Sequence, residues 1–228
     1  IIANFLLWPL DKYLKNKILK RAKAKLLSFK ILKIIGITWS YGKTSQKEIL
    51  ETILKQRFKV LSTSWNKNTP LWVSEAILWE LDETYDVFIV EMWAYQKWDI
   101  KELCDLVNPE IWILTWITLQ HLERFGSLEN IIDAKFELPE SIKEDGLIIL
   151  DTTNKNIVSW LNARKDTLKC KNIIELKNPK NISYIENLGW IEFDYDNKKI
   201  KSKLLAEHSA NQIITAYEVA KYLKMDKS

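Results

Sequence analysis

Glycine is scarce in this chain. Only 5 of 228 residues are Gly, against ~7% in ordinary proteins. Cysteine, histidine and methionine are each present twice, and proline five times. Cys104 and Cys170 lie far apart with no CxxC spacing. That argues against a disulfide framework and a thiolate zinc site, and fits a reducing, cytoplasmic setting. His121 and His208 are the only histidines, and a lone histidine is by default a satisfied structural side chain. The apolar stretch Ile1 to Trp8 is far shorter than the ~20 residues that span a bilayer. There is no internal repeat or low-complexity tract. Residue 1 is Ile rather than Met, so the chain is expected to be part of a longer product.

Tryptophan is what the chain has in excess, with 11 residues. Several stand where a turn or a close backbone approach is expected: Trp39, Trp65 before Asn66, Trp72 after Pro70-Leu71, Trp93 after Glu91-Met92, and Trp98 before Asp99. Added together, Gly and Trp are about as abundant as glycine alone usually is, ~7%. This implies an alternative genetic code, in which UGA codons printed as Trp are read as glycine, as some bacterial lineages do. The opposing reading is a Trp-rich protein with stacking platforms for sugars or bases.

At 47% hydrophobic, the chain can bury one good globular core. Charge is unevenly placed. Residues 1 to 10 carry none, whereas 11 to 33 hold nine Lys/Arg against Asp11 alone, so with a total of +4 the remainder is net acidic. Leu14, Ile18, Ala22 and Leu26 recur every four residues, predicting a basic amphipathic helix. Two readings of segment 1–33 stand side by side: a juxtamembrane element on the inner face of a membrane, obeying the positive-inside tendency, or a solvated helix packed on the domain. An acidic body without a recognition module argues against a nucleic-acid partner.

From residue 34 onward apolar runs alternate with helical stretches. Strands are predicted at Leu32–Thr38, Val60–Thr63, Val87–Met92, Ile111–Ile117, Leu147–Leu150 and Ile173–Leu176. Helices are predicted over 45–57, 70–81, 100–106, 127–143 with a kink at Pro139, 154–162 and 209–223. The fold class is therefore α/β, a mostly parallel P-loop-type sheet with helices on both faces. A hairpin from Trp190 to Leu205, turning at Asp194-Tyr195-Asp196-Asn197, is expected at one edge.

The chemistry gathers at the first strand's end. Thr38-Trp39-Ser40-Tyr41-Gly42-Lys43-Thr44-Ser45 follows an apolar run and opens a helix, the arrangement that aims backbone N–H groups at a polyphosphate. Lys43 would reach the β- and γ-phosphates, and the Thr44 hydroxyl would bind Mg²⁺. An indole at 39 would fill space that backbone and phosphate share, so the loop functions only with glycine there. Glu91 closes a strand beside the same crevice, a candidate second magnesium ligand. Lys135, mid-helix, is by default a surface lysine.

With glycine at 39, this loop resembles the ATP loop of the Mur ligase family, and four further blocks follow in order. Trp65-Asn66-Lys67-Asn68-Thr69-Pro70-Leu71-Trp72-Val73 resembles that family's GN-x-N…G-V segment. Val90-Glu91-Met92-Trp93-Ala94 with Lys97-Trp98-Asp99-Ile100 resembles its E-M/L-G-A…G-E/D-I block. Pro109 to Ile117 with Gln120-His121-Leu122-Glu123-Arg124-Phe125-Gly126-Ser127 resembles I-T-N-I…H-L-E-x-F-G-S, and Ala134-Lys135-Phe136-Glu137 resembles A-K-x-E. Within the family, the blocks are most similar to the members that add D-alanyl-D-alanine to a UDP-N-acetylmuramoyl tripeptide.

The resemblance implies an ATP-dependent amide ligase of peptidoglycan precursor synthesis, using ATP and Mg²⁺. The γ-phosphoryl group moves to a carboxylate of a UDP-N-acetylmuramoyl peptide, and the amine of D-alanyl-D-alanine attacks the acyl phosphate. It assigns residues 38–45 to the nucleotide and Asn66, Asn68 and Thr69 to the substrate. It assigns Thr44, Glu91, His121 and a carbamylated Lys135 to the metal, with Lys43, His121 and Lys135 catalytic. It implies that 34–228 is the family's central domain, with the C-terminal ligase domain beginning beyond Ser228. Asp151 and Thr153 depart from the family's N-x-D turn, and Gln212 stands where asparagine is usual, which leaves the adenine side unassigned. Two alternatives stay open: a non-catalytic relative with a Trp-blocked loop that serves as a binding module, and a folylpolyglutamate or cyanophycin synthetase type of ligase.

Overall fold

A computed structural model describes residues 2–38, 43–64, 67–94, 96–114, 116–117, 122–185, 188–204 and 208–225, without the side chains of 2–7, 43, 44, 122 and 208. Six strands, β1 (Lys33–Thr38), β2 (Val60–Ser62), β3 (Val87–Glu91), β4 (Ile111–Leu114), β5 (Leu147–Asp151) and β6 (Ile173–Leu176), form one sheet in the order β2-β3-β1-β4-β5-β6. Every pairing in it is parallel. Alternate residues feed two cores, which is why the strands read as unbroken apolar runs. Ile35, Ile37, Val87, Ile89, Ile111, Ile113, Leu147 and Ile149 face one core; Phe88, Val90, Trp112, Leu114, Ile148 and Leu150 face the other.

The first core is covered by α2 (Lys43–Leu54), through Leu50 and Leu54, and by α8 (His208–Tyr222), through Ala210, Ile214 and Val219. Beneath the other face lie α1 (Ile2–Ser28), α3 (Pro70–Trp79), α4 (Asp99–Val107), α6 (Leu128–Ser141) and α7 (Lys155–Arg164), with the short α5 (Leu122–Phe125) leading into α6. Their starts are those the sequence signals. Pro70 follows Thr69 at the first position of α3, Ser127 Oγ accepts from Asn130 N at 3.2 Å to cap α6, and Asn154 Oδ1 accepts from Asn156 N at 3.0 Å to cap α7.

Four expectations are adjusted. The hairpin forms as β8 (Trp190–Tyr195) and β9 (Lys198–Ser202), around Asp196 and Asn197, whose φ values of 49° and 57° suit a two-residue turn. It does not extend the main sheet. An earlier strand, β7 (Lys180–Ile185), pairs with β8 in a separate antiparallel sheet, and Ile191 and Phe193 of β8 pack into the α2–α8 core. Strand β4 stops at Leu114, short of Ile117. Pro139 sits in the last turn of α6, which ends at Ser141 rather than running to 143, with the Ile142 N–H bonded to the Pro139 carbonyl.

The fourth adjustment concerns α1, which absorbs the apolar start as well as the basic segment. Among its described side chains, those that reach the core are in its second half, Ala22 and Leu26 with Leu19 beside them. Lys15 Nζ lies 2.8 Å from a Glu102 carboxylate oxygen on α4, and Lys25 donates to the Leu78 carbonyl on α3 at 3.0 Å. Toward the other end Trp8, Leu10, Tyr13 and Leu14 are exposed. No described helix is long and apolar enough to cross a membrane.

Candidate nucleotide site

The chain runs from β1 outward through β2 and β3 on one side, then returns to lay β4 on β1's other side. The connection leaving β1 therefore opens at the point where strand order reverses, the crevice in which open α/β sheets receive ligands. Thr38 ends β1 and α2 starts at Lys43. The order strand, connection, helix is that read from the sequence, but α2 spans Lys43–Leu54 rather than 45–57, so its N-terminus comes two residues earlier, with the helix dipole pointing at the crevice.

Trp39, Ser40, Tyr41, Gly42, Asn66 and His121 lie outside the described residues, as do the side chains of Lys43 and Thr44. Thr38 is buried, and its Oγ1 has no hydrogen-bond partner among the described residues. Ser45 is exposed in the first turn of α2, and Asn68 and Thr69 are half-buried ahead of α3.

Glu91 is the last residue of β3, in register with Ile37 of β1, and is 9% exposed. Its backbone N–H donates to Thr63 Oγ1 at 3.0 Å. Lys47, one turn into α2 and 5% exposed, donates to the Thr63 carbonyl at 2.6 Å and stands 3.7 Å from Glu91 Oε2. Lys135 on α6 is 9% exposed, so the default of a surface lysine gives way to a buried cation that needs compensation.

Polar groups to which the sequence assigned no role, Asp151 and Gln212 among them, collect at the same edge of the sheet. Asp151 ends β5; its Oδ1 accepts from Thr153 N at 3.0 Å and its Oδ2 from Asn211 Nδ2 at 3.1 Å, tying the strand to α8. Gln46 Nε2 donates to the Gln212 carbonyl at 3.2 Å. The side-chain oxygens of Gln46, Asn211 and Gln212 are buried and find no partner among the described residues. Such acceptors are costly to leave unmade and suit a ligand that brings N–H or O–H donors. One signal for them was available: Gln46 lies four residues before Leu50 and eight before Leu54, on the buried stripe of α2, where a polar side chain asks for a reason.

Glu137, from the A-K-x-E block, has a structural task. Its Oε1 accepts from Trp98 N at 2.6 Å and its Oε2 from Lys101 N at 3.0 Å, so a carboxylate on α6 caps the start of α4. Burial raises its pKa despite those two bonds, which act the other way. The N-cap residue itself, Trp98, makes no side-chain cap; it stands at φ 79°, ψ −8°, in the left-handed region. Both thiols are buried, and burial pushes each above its ordinary range, away from nucleophilic use.

These donors suit a divalent cation. Glu91 carboxylate and Thr38 hydroxyl are hard oxygen groups at one strand edge, the type that Mg²⁺ takes. No cluster of three or more His, Cys, Asp or Glu that would cage a metal occurs among the described residues. The donors fit an ion that draws most of its ligands from phosphate and water.

A family model described as the Mur ligase middle domain matches residues 37–220. The chain is 32% identical over 128 residues to the UDP-N-acetylmuramoyl-tripeptide–D-alanyl-D-alanine ligase of Escherichia coli (strain K12), covering 56% of this chain and 28% of that protein. It is 30% identical over 208 residues to the UDP-N-acetylmuramoylalanine–D-glutamate ligase of Christiangramia forsetii, covering 87% and 44%. It thus spans less than half the length of these curated relatives. Among solved structures it superposes on MurF from Acinetobacter baumannii with a TM-score of 0.80 at 22% identity, over 93% of this chain and 47% of that one. It also superposes on MurF ligase from Thermotoga maritima in complex with ADP, with a TM-score of 0.78 at 25% identity, over 94% and 50%. The apo form of L. casei FPGS follows at 0.66 and 13% identity, over 94% and 64%, a likeness of fold.

Proposed function

The chain belongs to the Mur ligase middle-domain family, and from that premise we propose that it is the nucleotide-binding unit of an ATP-dependent ligase that joins D-alanyl-D-alanine to a UDP-N-acetylmuramoyl tripeptide. The observation that carries this reading is the juxtaposition at the sheet's switch point of the β1–α2 connection and the Glu91 carboxylate on the neighbouring strand. The Escherichia coli relative, whose name gives D-alanyl-D-alanine as its amine, favours that substrate.

In this reading the α2 N-terminus and Lys43 hold the triphosphate, and Thr44, Glu91 and His121 hold Mg²⁺. Bound there, the ion would supply charge neutralisation on the phosphates; the γ-phosphoryl group of ATP passes to the substrate carboxylate and ADP is the leaving group. The resulting acyl phosphate is open to the incoming amine, which forms the amide and expels inorganic phosphate. Lys135 would carry a carbamate, formed from its amine and carbon dioxide with loss of a proton, which turns a buried cation into an anion able to serve the metal. Asn66, Asn68 and Thr69 meet the muramoyl peptide. The exposed apolar and basic end of α1 rests on an anionic membrane surface, which would hold the enzyme on the inner face.

We further take Trp39 to be glycine in the natural polypeptide, because backbone and phosphate compete with an indole for one space. A literal Trp39 favours the second reading, a relative with a blocked loop that binds without catalysis. Isothermal titration of Mg·ATP into the printed chain, its Trp39→Gly form and Trp39→Gly/Lys43→Ala decides between them. Binding by Trp39→Gly alone is the expected result. Tight binding by the printed chain refutes the steric account of the loop, and binding unaffected by Lys43→Ala removes Lys43 from the phosphates.

A further inference from the structure

Lys47 belongs to none of the assigned roles, yet it is among the most buried charges in the molecule, at 5% exposure. It stands one helical turn after Lys43, on the same side of α2. Its ammonium is held by the Thr63 carbonyl at 2.6 Å and lies 3.7 Å from Glu91 Oε2. Thr63 is the hub. Its N–H donates to the Ile89 carbonyl and its Oγ1 accepts from the Glu91 N–H, each at 3.0 Å. The Lys47 ammonium and the Glu91 main chain are therefore anchored to the same residue, and both side chains are buried, which keeps the two charges close. The other carboxylate near Lys47, Glu51, lies one turn further along α2 and has partners of its own: Ser62 Oγ at 2.6 Å and Lys55 Nζ at 2.6 Å. Glu51 also feels the Lys47 charge, but the carboxylate in ion-pair range of Lys47 is that of Glu91.

We propose that Lys47 is a positioning residue that occupies the Glu91 carboxylate as a built-in counter-cation, so that a divalent metal enters this site only in company with a polyphosphate. The inference rests on the nucleotide-site reading above. With the ammonium in place the Lys47–Glu91 pair is neutral, and an arriving Mg²⁺ meets a carboxylate already in use and a positive charge a few ångströms behind it. A nucleotide reverses the balance: its phosphates bring the negative charge that both cations need, and Glu91 can then serve the metal while Lys47 keeps it aimed from behind. The device prevents the buried carboxylate from trapping free metal ahead of ATP.

Mn²⁺ paramagnetic resonance titration of the full chain without nucleotide provides the test. Lys47→Met is expected to tighten Mn²⁺ binding at least ~10-fold, as removal of a like charge at this distance should even under strong screening. Lys47→Arg restores the wild-type value, and Lys47→Met/Glu91→Gln abolishes the gain. Unchanged Mn²⁺ affinity in a folded Lys47→Met protein overturns the proposal, because a lysine that only fastens Thr63 would alter stability and nothing else. Should that variant fail to fold, Glu91→Gln provides a second reading. It frees the ammonium, so in the Trp39→Gly background metal-free ATP should bind about tenfold more tightly relative to Mg·ATP than it does with Glu91 in place, and no change overturns the proposal equally. The two readings fail separately. A Trp39→Gly chain that binds no Mg·ATP defeats the nucleotide site, whereas Mg·ATP binding with an unaltered Lys47→Met response defeats only the role of Lys47.

Discussion

Trp98→Gly should make this protein more stable, although it removes the largest side chain there is. Trp98 sits at φ 79° and is 68% exposed. A side chain in the left-handed region costs about 1–2 kcal/mol relative to glycine, and an indole this exposed returns little burial energy in compensation. Glycine loses about 0.5–1 kcal/mol more backbone entropy on folding. The difference leaves a gain of about 0.5–1 kcal/mol, or about 1–4 °C in Tm for a domain of this size. The cap on α4 survives the change, since Glu137 bonds the main-chain N–H groups of residues 98 and 101 and not the indole. Trp98→Ala is the control: it removes the same ring but keeps a Cβ at positive φ, so it should gain nothing. Urea unfolding of the three proteins measures the order. If Trp98→Gly proved no more stable than Trp98→Ala, the left-handed strain would be absent and position 98 would give no support to a glycine in the natural chain.

Two further outcomes are expected. The Tyr222 hydroxyl donates to the Asp145 carbonyl at 2.7 Å and faces Glu110, and Tyr195 donates to Glu218 at 2.9 Å; burial first, then those acidic neighbours, raise both above the ordinary tyrosine value of 10.0. A group with a raised folded-state pKa stabilises fully below its unfolded value and loses that contribution as pH climbs. Stability should therefore fall above pH ~10, and Tyr222→Phe should flatten that fall in denaturation measured from pH 8 to 11; an unchanged slope rejects the linkage. At the other end of the molecule, the exposed Trp8, Leu10, Tyr13 and Leu14 with the lysines beside them should bind vesicles containing phosphatidylglycerol and not pure phosphatidylcholine, with affinity lost as salt rises. Equal sedimentation with both vesicles, or with neither, rules out an anionic lipid surface as its partner.

Much was legible because it depends on neighbours in the chain. All six main-sheet strands follow from apolar runs, the helices from caps such as Ser127 and Asn154, and the hairpin from Asp196-Asn197. The site's location was legible for the same reason: Thr38 to Ser45 is a local strand–turn–helix signal. β7 escaped because Lys180–Ile185 alternates weakly, with no residue of it fully buried; it is a strand only because β8 lies beside it. The hairpin's destination escaped too, since turn chemistry brings two strands together but does not choose the surface they pack on.

By itself, then, the sequence determined the alternation of strand and helix, the phosphate-loop pattern after β1 and the resemblance that the family model bears out, all properties of short, contiguous windows. Only the tertiary structure decided which distant groups meet. Strand order places Glu91 beside β1 at the switch point, and Thr63, from the end of an edge strand, brings Lys47 and Glu91 to one anchor. Burial turned Lys135 from a surface residue into a charge requiring compensation. The physical reason is the same in each case: hydrogen bonds and periodic burial within an element are encoded every few residues, whereas desolvation and charge pairing depend on what the folded chain places opposite.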